Sequence, residues 1–371
     1  MVAGQNHIPE ATGECPFGVE VVSQSTILRR NRTDVPDVVV LIFEDCQPSA
    51  VATVMEALSV ANLHWTRVNG EGNPPFSYRI ISYDGRPVRG MGDVTLAADG
   101  SVKDLGRPDL IFVPGIRAFS QPTMERRLQQ LKANWGDKLR EHYRRNGYLA
   151  ANCSGIFLLA EAGLLDGRTA TTSWWLARSF RSRYPRVRLV PEMLVTKDSR
   201  IFCAASFSAC LNLGLEIVSE FLGPRAMLRL ARVLLIDINR TAQLPYANLQ
   251  EQVQHGDDLV LRAQAQLLSS LRRPSDLEKL AKRFHVTSRT LHRRFKAATG
   301  ESPLVFLQNA RIERAKRLLE ITNISFDQIA YRVGYDDVSS FRRLFTRSSG
   351  ISPGSYRQKF GLRKSKDAQL Q

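Results

Sequence analysis

A single cysteine lies where an apolar strand pattern meets a helical pattern, a position that could support nucleophilic chemistry. The stretch GYLAANCSGIFLLAEAGLL, residues 147–165, runs into Cys153, continues through Ser154 and Gly155, and becomes an apolar helix. Such a sharp strand-to-helix turn presents a side chain at the edge of a sheet. A thiol reacts at neutral pH only when a base, a cation or a helix N-terminus favours its thiolate. The chemistry open to Cys153 therefore depends on its neighbours.

Histidine is a common activating base for cysteine, and few histidines are available here. Four of the six lie in residues 1–36 or 255–371, which leaves His64 and His142, each within a helical pattern. The helix that begins after Cys153 supplies one favourable feature, its N-terminus. Three roles for Cys153 stay open: part of a non-catalytic pocket, a redox-sensing thiol, and an active nucleophile. If Cys153 is simply a small, buried apolar residue, it can still be part of a non-catalytic pocket.

The cysteines do not form a metal-binding or disulfide pattern. Five are present, at positions 15, 46, 153, 203 and 210, with no CxxC pair and no cluster of cysteine with histidine. An odd, scattered set is typical of free thiols in a protein that is not secreted. The sequence accordingly predicts neither a metal site nor a bound cofactor.

A second kind of chemistry is indicated by the basic residues of the last third of the chain. The net charge is +16, and residues 257–371 hold 23 lysines and arginines against 11 acidic residues, a net +12. The preceding 256 residues carry only +4. Because a concentrated positive charge attracts polyanions, the C-terminal third is the part expected to bind nucleic acid.

The same region contains an internal repeat. One unit, LEKLAKRFHVTSRTLHRRFKAATGESPLVF, begins at Leu277, and the other, FDQIAYRVGYDDVSSFRRLFTRSSGISPGSY, begins at Phe326. The matched pairs are Leu280/Ile329 and Ala281/Ala330, and then, after one inserted residue, Leu291/Phe341, Phe295/Phe345, Gly300/Gly350, Ser302/Ser352 and Pro303/Pro353. Each unit reads as a short helix, a tight turn and a second helix, with Gly334 in the second turn and His285 in its place in the first. Two helix-turn-helix motifs are predicted, joined by one helix over residues 302–321.

The second helix of each unit leaves short polar and basic side chains exposed between its buried positions. The predicted DNA-contacting residues are Ser288, Arg289, Thr290, His292, Arg293 and Arg294 in the first unit, and Ser339, Ser340, Arg342 and Arg343 in the second. Arginine can form paired hydrogen bonds to guanine edges, and serine, threonine and histidine can reach bases or phosphates. This pattern predicts binding to double-stranded DNA.

The elements that position Cys153 follow an alternating order of strands and helices. Continuous apolar runs predict strands at residues 37–45, 76–84, 108–115 and 147–153, with helical patterns between them. Short strands are then predicted within VRLVPE, MLVTKD and RIFCAAS, followed by helices ACLNLGLEIVSEFLG and RAMLRLARVLLIDI. We predict an α/β fold with a doubly wound, mostly parallel sheet, followed by an all-α domain.

The length of 371 residues predicts more than one domain. The divisions are a flexible tail at 1–36, a sensor and dimerisation domain at 37–238, a linker at 239–255, a DNA-binding domain at 256–360 and a basic tail at 361–371. The N-terminus lacks a signal-peptide pattern, and no apolar run reaches the roughly 18–20 residues that span a bilayer. We therefore expect a cytoplasmic protein that does not associate with membranes.

The repeated C-terminal region resembles the AraC/XylS-type DNA-binding module over residues 256–360. The repeated GESPLVF and GISPGSY are the most specific parts of this likeness. The resemblance implies that Arg289, His292 and Arg293 occupy base-contacting positions in the first recognition helix. It also implies a transcriptional regulator, more specifically an activator, with RNA polymerase as a partner.

Residues 37–225 resemble the PfpI-like, class I glutamine amidotransferase-like fold, and the joined architecture is similar to the GlxA-like branch of AraC regulators. FVPG, NCSGIFLLAEAGLLDGRTATTSWW and the chain order carry the likeness. In active relatives the elbow cysteine is a nucleophile assisted by a histidine or an acid. Here Ser154, Ser173 and Ala50 stand where relatives carry histidine, histidine and glutamate. These departures predict a protein that is not an enzyme.

The strand-to-helix turn at residues 153–155, called the elbow below, can bind a ligand even if it does not cleave bonds. Ligands of open α/β sheets bind at the carboxyl ends of the strands, and backbone N–H groups of the turn are expected to point into that crevice. The candidate pocket residues are Gly115, Ile116, Cys153, Ser154, Ser173, Trp174 and Glu44, with Asp45 as a further source of negative charge. Trp174 could equally belong to the core or to a dimer surface. The resemblance implies a small effector such as a nitrogen-containing metabolite.

Three functions therefore compete. The first is a regulator controlled by a small metabolite in a non-catalytic domain and acting as a homodimer. The second is a regulator that senses oxidants through Cys153. The third is a cysteine amidase, peptidase or deglycase fused to a DNA-binding module, and the missing histidine partner argues against it.

Overall fold

The computed structural model describes residues 35–69, 74–117, 121–248, 255–272 and 276–362. Nearly all of the predicted N-terminal tail, including Cys15 and His7, and most of the basic tail at 361–371 lie outside these residues. Within residues 36–362 the chain forms an α/β region followed by helices only. None of the helices in the described ranges is long and apolar enough to cross a membrane.

The described residues of the α/β region form ten strands. They are β1 (Asp37–Leu41), β2 (Ser77–Ile81), β3 (Val88–Arg89), β4 (Thr95–Leu96), β5 (Leu110–Val113), β6 (Tyr148–Asn152), β7 (Thr169–Ala170), β8 (Arg188–Leu189), β9 (Val195–Asp198) and β10 (Ile201–Ala204). Six of them form the main sheet in the order β2-β1-β5-β6-β10-β9, which is parallel except for the antiparallel β10–β9 pair. The predicted fold class, a mostly parallel doubly wound sheet followed by helices, is confirmed.

Among the described residues, six α-helices belong to the α/β region and seven to the C-terminal region. The first group is α1 (Pro48–Asn69), α2 (Gln121–Arg144), α3 (Ile156–Glu161), α4 (Ala177–Arg183), α5 (Ala209–Leu222) and α6 (Pro224–Val233). The second is α7 (Asp258–Ser269), α8 (Leu277–Arg283), α9 (Ser288–Thr299), α10 (Pro303–Ile321), α11 (Phe326–Arg332), α12 (Val338–Ser349) and α13 (Pro353–Phe360).

The strands of the main sheet are apolar at consecutive positions because both faces of the sheet are buried. All residues of β5 and β10 are buried, as are most of those in β1 and β6, so helices cover both faces of the sheet. Helices α1, α5 and α6 pack together, and α2 packs with α3. At about 25 cal/mol per Å², burial of such side chains is the main favourable contribution to folding of this region.

Some predicted elements are shorter in the structure. The first strand ends at Leu41 instead of residue 45, because Cys46 N donates to the Phe43 carbonyl and Asp45 turns the backbone with φ of 62°. The strand expected within VRLVPE is reduced to Arg188–Leu189. The helix expected over 225–238 ends at Val233, just before Leu235 adopts φ of 54°.

The C-terminal helices bury two separate apolar cores. One contains Leu291 and Phe295 with α7, α8 and the start of α10, and the other contains Phe341 and Phe345 with α11, α13 and the end of α10. The four side chains predicted to be buried in the second helices are at most 1% exposed. Helix α10 contributes to both cores, so it is a single connecting helix between two helix-turn-helix units.

Candidate nucleic-acid interface and effector site

The turn that presents Cys153 lies at the carboxyl end of β6. A short 3-10 turn, Cys153–Gly155, joins β6 to α3, and Cys153 itself has φ of 51°, the left-handed region that costs energy for residues with a Cβ. Gly155 is required by close packing, because a Cβ added there would lie 2.5 Å from the Pro114 carbonyl oxygen. The sequence therefore forms a strained elbow, as the small residues after Cys153 indicated.

Burial makes the elbow thiol a poor nucleophile. Burial raises the pKa of Cys153 above its usual range, and this outweighs the opposing effect of hydrogen bonds from Ser173 and Ser154. Ser173 Oγ lies 3.0 Å from Cys153 Sγ and also bonds to the Ala205 carbonyl. Ser173 therefore faces the thiol with a hydroxyl group, which supplies no base.

Neither remaining histidine reaches the elbow. His142 lies at the other end of β6, where its Nε2 is 2.8 Å from the Tyr148 carbonyl oxygen, and burial lowers its pKa. A strand of five residues, Tyr148–Asn152, places that end about 16 Å from Cys153 at about 3.3 Å per residue. His64 lines a small groove between α1, α5 and α6. Within the described ranges, no group of His, Cys, Asp and Glu could hold a metal ion.

The backbone amides of Gly115 and Ile116, beside the elbow, form hydrogen bonds within the protein. Gly115 N donates to Asn152 Oδ1 at 2.9 Å. Ile116 N donates to Ser154 Oγ at 2.7 Å, and this hydroxyl donates back to the Ile116 carbonyl at 2.6 Å. Gly115, Ile116, Ser154 and Ser173 are buried, whereas Cys153 is partly accessible.

The turn after β1 lies at the same edge of the sheet. Gln47 N donates to the Gly115 carbonyl, and Gln47 Oε1 accepts from Asn152 Nδ2 at 3.0 Å. The order of strands places this edge at the switch point between β1 and β5, the usual ligand position in open sheets. Gln47 was missed in the sequence because a glutamine after a strand carries no distinctive signal.

The two acidic residues proposed near the pocket, Glu44 and Asp45, both bond to other groups of the protein. Glu44 is exposed, and its Oε1 accepts from Arg89 N at 3.3 Å. Asp45 forms ion pairs with Arg127 at 2.7 Å and Arg117 at 3.8 Å. Since two guanidinium groups face Asp45, its charge is balanced within the protein and is not free to attract a cation.

Aromatic residues border the elbow on the side of Ser173. Trp174 is half-buried and packs edge-to-face on Trp175, with ring centroids 5.4 Å apart, and Trp175 is 44% exposed. Trp174 N donates to Gln243 Oε1 at 3.0 Å. Aromatic faces of this kind can pack against apolar or cationic ligands.

The two recognition helices, α9 and α12, have the same capping. Thr287 caps α9 and Asp337 caps α12 through side-chain oxygens that accept N–H groups of the first turn. Each helix ends at a left-handed glycine, Gly300 with φ of 79° and Gly350 with φ of 74°. The pattern of buried and exposed residues over 291–300 is identical to that over 341–350. The repeat found in the sequence is therefore a repeat of structure.

The predicted DNA-contacting residues of α9 fall into two groups. Ser288, Arg289, His292 and Arg293 are exposed, and no described side chain pairs with Arg289 or Arg293. Arg294 instead donates two hydrogen bonds to Asp257, at 2.6 and 2.8 Å, and Thr290 lies beside the cap. Arg294 therefore ties α9 to the start of α7.

The exposed residues of α12 contact one another more. Arg343 donates to Ser340 Oγ at 2.9 Å, and Arg342 donates to Asp327 at 2.9 Å while it lies over the Phe326 ring. Ser339 is exposed and its N–H is held by Asp337. All of these side chains lie at the surface, where solvent and ligands compete for such pairs.

The fold and these two sites define a class: a DJ-1/PfpI-type α/β domain joined to an AraC-type double helix-turn-helix region. Residues 36–220 match the DJ-1/PfpI family, and residues 280–359 match a helix-turn-helix domain. The resemblances noted from the motifs are thereby confirmed, including the likeness to the GlxA-like architecture.

Several named regulators are similar to the chain over much of its length. It is 29% identical to the HTH-type transcriptional regulator CdhR of Pseudomonas aeruginosa, over 76% of this chain and 82% of that protein. The HTH-type transcriptional regulator GbdR of the same species is 23% identical over 86% of this chain and 83% of its own. The HTH-type transcriptional regulator GlxA of Rhizobium meliloti is 27% identical over 56% and 64%.

Proposed function

We propose that this chain is a sequence-specific DNA-binding regulator of transcription that acts as an activator. The observation that carries the proposal is the structural identity of α9 and α12, each capped, buried and exposed at equivalent positions. Helix α10, Pro303–Ile321, is about 28 Å long at about 1.5 Å per residue, which approaches the spacing of about 34 Å between successive major grooves. Two recognition helices held in this way fit one face of a DNA duplex.

The α/β domain, in this proposal, senses a small effector without catalysis. The raised pKa of Cys153, and the serine where related regulators have histidine, both favour binding over bond cleavage. The effector contacts Cys153 and the Trp174 side of the elbow, at the edge where Gln47 and Ser154 also lie. A nitrogen-containing metabolite suits the indole rings of the half-buried Trp174 and the exposed Trp175.

A homodimer is part of the proposal. Leu228, Val233, Leu235 and Ile238 are apolar side chains between 40% and 91% exposed on and just after α6. A second copy that covers them would place two DNA-binding regions on repeated half-sites. Sedimentation of the full chain at micromolar concentration should show a dimer, and a monomer both with and without DNA would contradict this part. Bound as such a dimer at a promoter, the regulator would contact RNA polymerase.

Genome-wide mapping of bound DNA tests the proposed function. The full chain should be enriched at a small set of promoters, and the variant with both Arg289→Ala and Arg293→Ala should lose this enrichment. The matched control is Lys296→Ala, an exposed basic residue at the end of α9. Equal enrichment for all three proteins, or none for any, would contradict sequence-specific binding.

The role of Cys153 is tested in the same cells. Cys153→Ser should keep most of the regulated transcription, because no matched base accompanies the thiol. A peroxide response that disappears in Cys153→Ser, with normal activity under reducing conditions, would favour the redox-sensing alternative instead.

A further inference from the structure

A five-residue segment, Gln243–Ala247, contacts both the elbow region and the second helix-turn-helix unit. It begins ten residues after the end of α6 and contains a 3-10 turn at Leu244–Tyr246. We call this segment the coupling strap. In the sequence it lies within the predicted linker, yet its first residue is only 4% exposed. A buried polar side chain in a linker calls for a specific role, since such burial costs free energy unless hydrogen bonds replace water.

Gln243 fixes the sensor end of the strap. Its Nε2 donates to the Thr172 carbonyl at 2.8 Å, and its Oε1 accepts from Trp174 N at 3.0 Å. Thr172 Oγ1 in turn donates to the Cys153 carbonyl at 2.8 Å. One glutamine side chain thus holds the turn that carries Ser173, and that turn is bonded directly to the strained elbow.

The other end of the strap packs on α10, α12 and α13. The Ala247 carbonyl accepts from Lys316 Nζ at 2.6 Å, and the Lys316 side chain is only 3% exposed. Tyr246 packs edge-to-face on Phe360, with ring centroids 5.2 Å apart. Leu244 and the buried Pro245 lie against Gly350, the residue that ends α12.

The first helix-turn-helix unit is held at the equivalent place. Arg178, four residues after Trp174, donates to the Ala298 carbonyl at 3.2 Å and lies against Gly300. Gly300 and Gly350 are the matched glycines of the repeat. The α/β region and the strap therefore contact both recognition helices at their C-terminal ends, and these contacts leave the exposed residues near their N-termini free for DNA.

We propose that the coupling strap transmits the state of the elbow to the second helix-turn-helix unit, with Gln243 as its positioning residue. This inference rests on the proposed function, in which an effector binds at the elbow, and adds that the bound effector displaces the Ser173–Trp174 turn. Movement of Trp174 N and the Thr172 carbonyl withdraws the partners of Gln243 and loosens the packing of Leu244 and Pro245 on α12. The angle between α9 and α12 then changes, and with it the fit to two successive major grooves.

Hydrogen exchange on the full chain without effector or DNA tests the coupling in one direction. Gln243→Ala should accelerate exchange by at least about fivefold, the factor expected for each hydrogen bond lost, both at residues 171–174 and in α12 and α13. The matched control, Gln129→Ala on the exposed face of α2, should change neither region. Faster exchange confined to residues 171–174 would overturn the proposal.

Coupling between two sites is reciprocal. A change at the Ala247 end of the strap must therefore alter the elbow. Lys316→Met removes the donor to Ala247 while it keeps an unbranched apolar side chain. This variant should raise the rate at which a maleimide modifies Cys153, read peptide by peptide in a mass spectrometer, whereas the control Lys296→Met should not. An unchanged rate in a folded Lys316→Met protein would overturn the proposal. Neither experiment uses DNA, so failure of DNA binding would leave the coupling result standing and would count only against the proposed function.

Discussion

At the residue scale, the elbow keeps the geometry of a nucleophile turn, but burial raises the pKa of its thiol and a serine hydroxyl faces it. Cys153 holds a left-handed backbone conformation, and its side chain faces Ser173 where a base would be needed. Burial raises the pKa of the thiol, so the neutral form predominates at physiological pH. The strained turn thus serves to place polar groups at one edge of the sheet.

The pH dependence of alkylation tests this description. Cys153 should react slowly with iodoacetamide at pH 7, and the rate should still rise with pH beyond the range in which an ordinary thiol has ionised, because its pKa is raised. The rate is measured for the Cys153 peptide by mass spectrometry, with a small-molecule thiol as the reference. A fast reaction at pH 7 with a plateau below pH 8 would show an activated thiolate.

The arginines of α9 and α12 are predicted to have unequal roles. Arg293 has no pairing among the described side chains, whereas Arg343 bonds to Ser340 beside the acidic start of α12. Arg293→Ala should cost about 1–3 kcal/mol of binding and relax specificity at one base step. Arg343→Ala should weaken binding evenly across sequences. Competition against a set of operator variants that gave the reverse pattern would contradict this assignment.

At the element scale, the two helix-turn-helix units have the same tight turn between their helices, but different residues occupy its left-handed position. His285 has φ of 54° and its counterpart Gly334 has φ of 89°, so histidine occupies a conformation that favours glycine. A Cβ added at Gly334 would lie 2.5 Å from the Leu271 carbonyl oxygen. The second turn therefore tolerates only glycine, whereas the first has room for a side chain.

Substitutions in these two turns should affect the stability of the protein unequally. His285→Gly should change the free energy of unfolding by less than about 1 kcal/mol, because relief of about 1–2 kcal/mol of backbone strain is offset by the greater flexibility of unfolded glycine. Gly334→Ala should lower it by more than about 2 kcal/mol, since a steric clash adds to the backbone strain. Urea unfolding of the two variants measures both changes. Equal effects would show that the two turns are not packed differently.

The spacing of apolar residues made the helices predictable from the sequence. Contacts between residues far apart in the sequence could not be predicted in this way. Leu291, Phe295 and their counterparts in α12 were predicted as buried because apolar spacing repeats along a helix. Gln47 and Gln243 could not be found in this way, because each acts through partners that the fold brings near from more than 65 residues away. The hydrogen bonds made by Gly115 N and Ile116 N were missed for the same reason, since Asn152 and Ser154 come from a neighbouring strand and its turn.

At the scale of the whole molecule, three apolar cores underlie the function. One core fills the α/β region, and each helix-turn-helix unit has its own, with α10 shared between them. The net charge of +12 over residues 257–371 is concentrated on the part that carries the recognition helices. In the proposed function, these parts divide the work: the α/β region would sense the effector, the coupling strap would transmit its binding, and the basic helices would bind DNA.

The salt dependence of DNA binding by the full chain tests the central claim most directly. Each phosphate neutralised lowers the slope of log K against log salt by about 0.9, so the affinity for duplex DNA should fall steeply as salt rises. Arg343→Ala should make that slope shallower by about 1 if this residue contacts a phosphate. Steep salt dependence, reduced in this way, is the predicted result. Binding that does not change with salt, or no binding at all, would contradict the assignment of α9 and α12 as DNA-recognition helices.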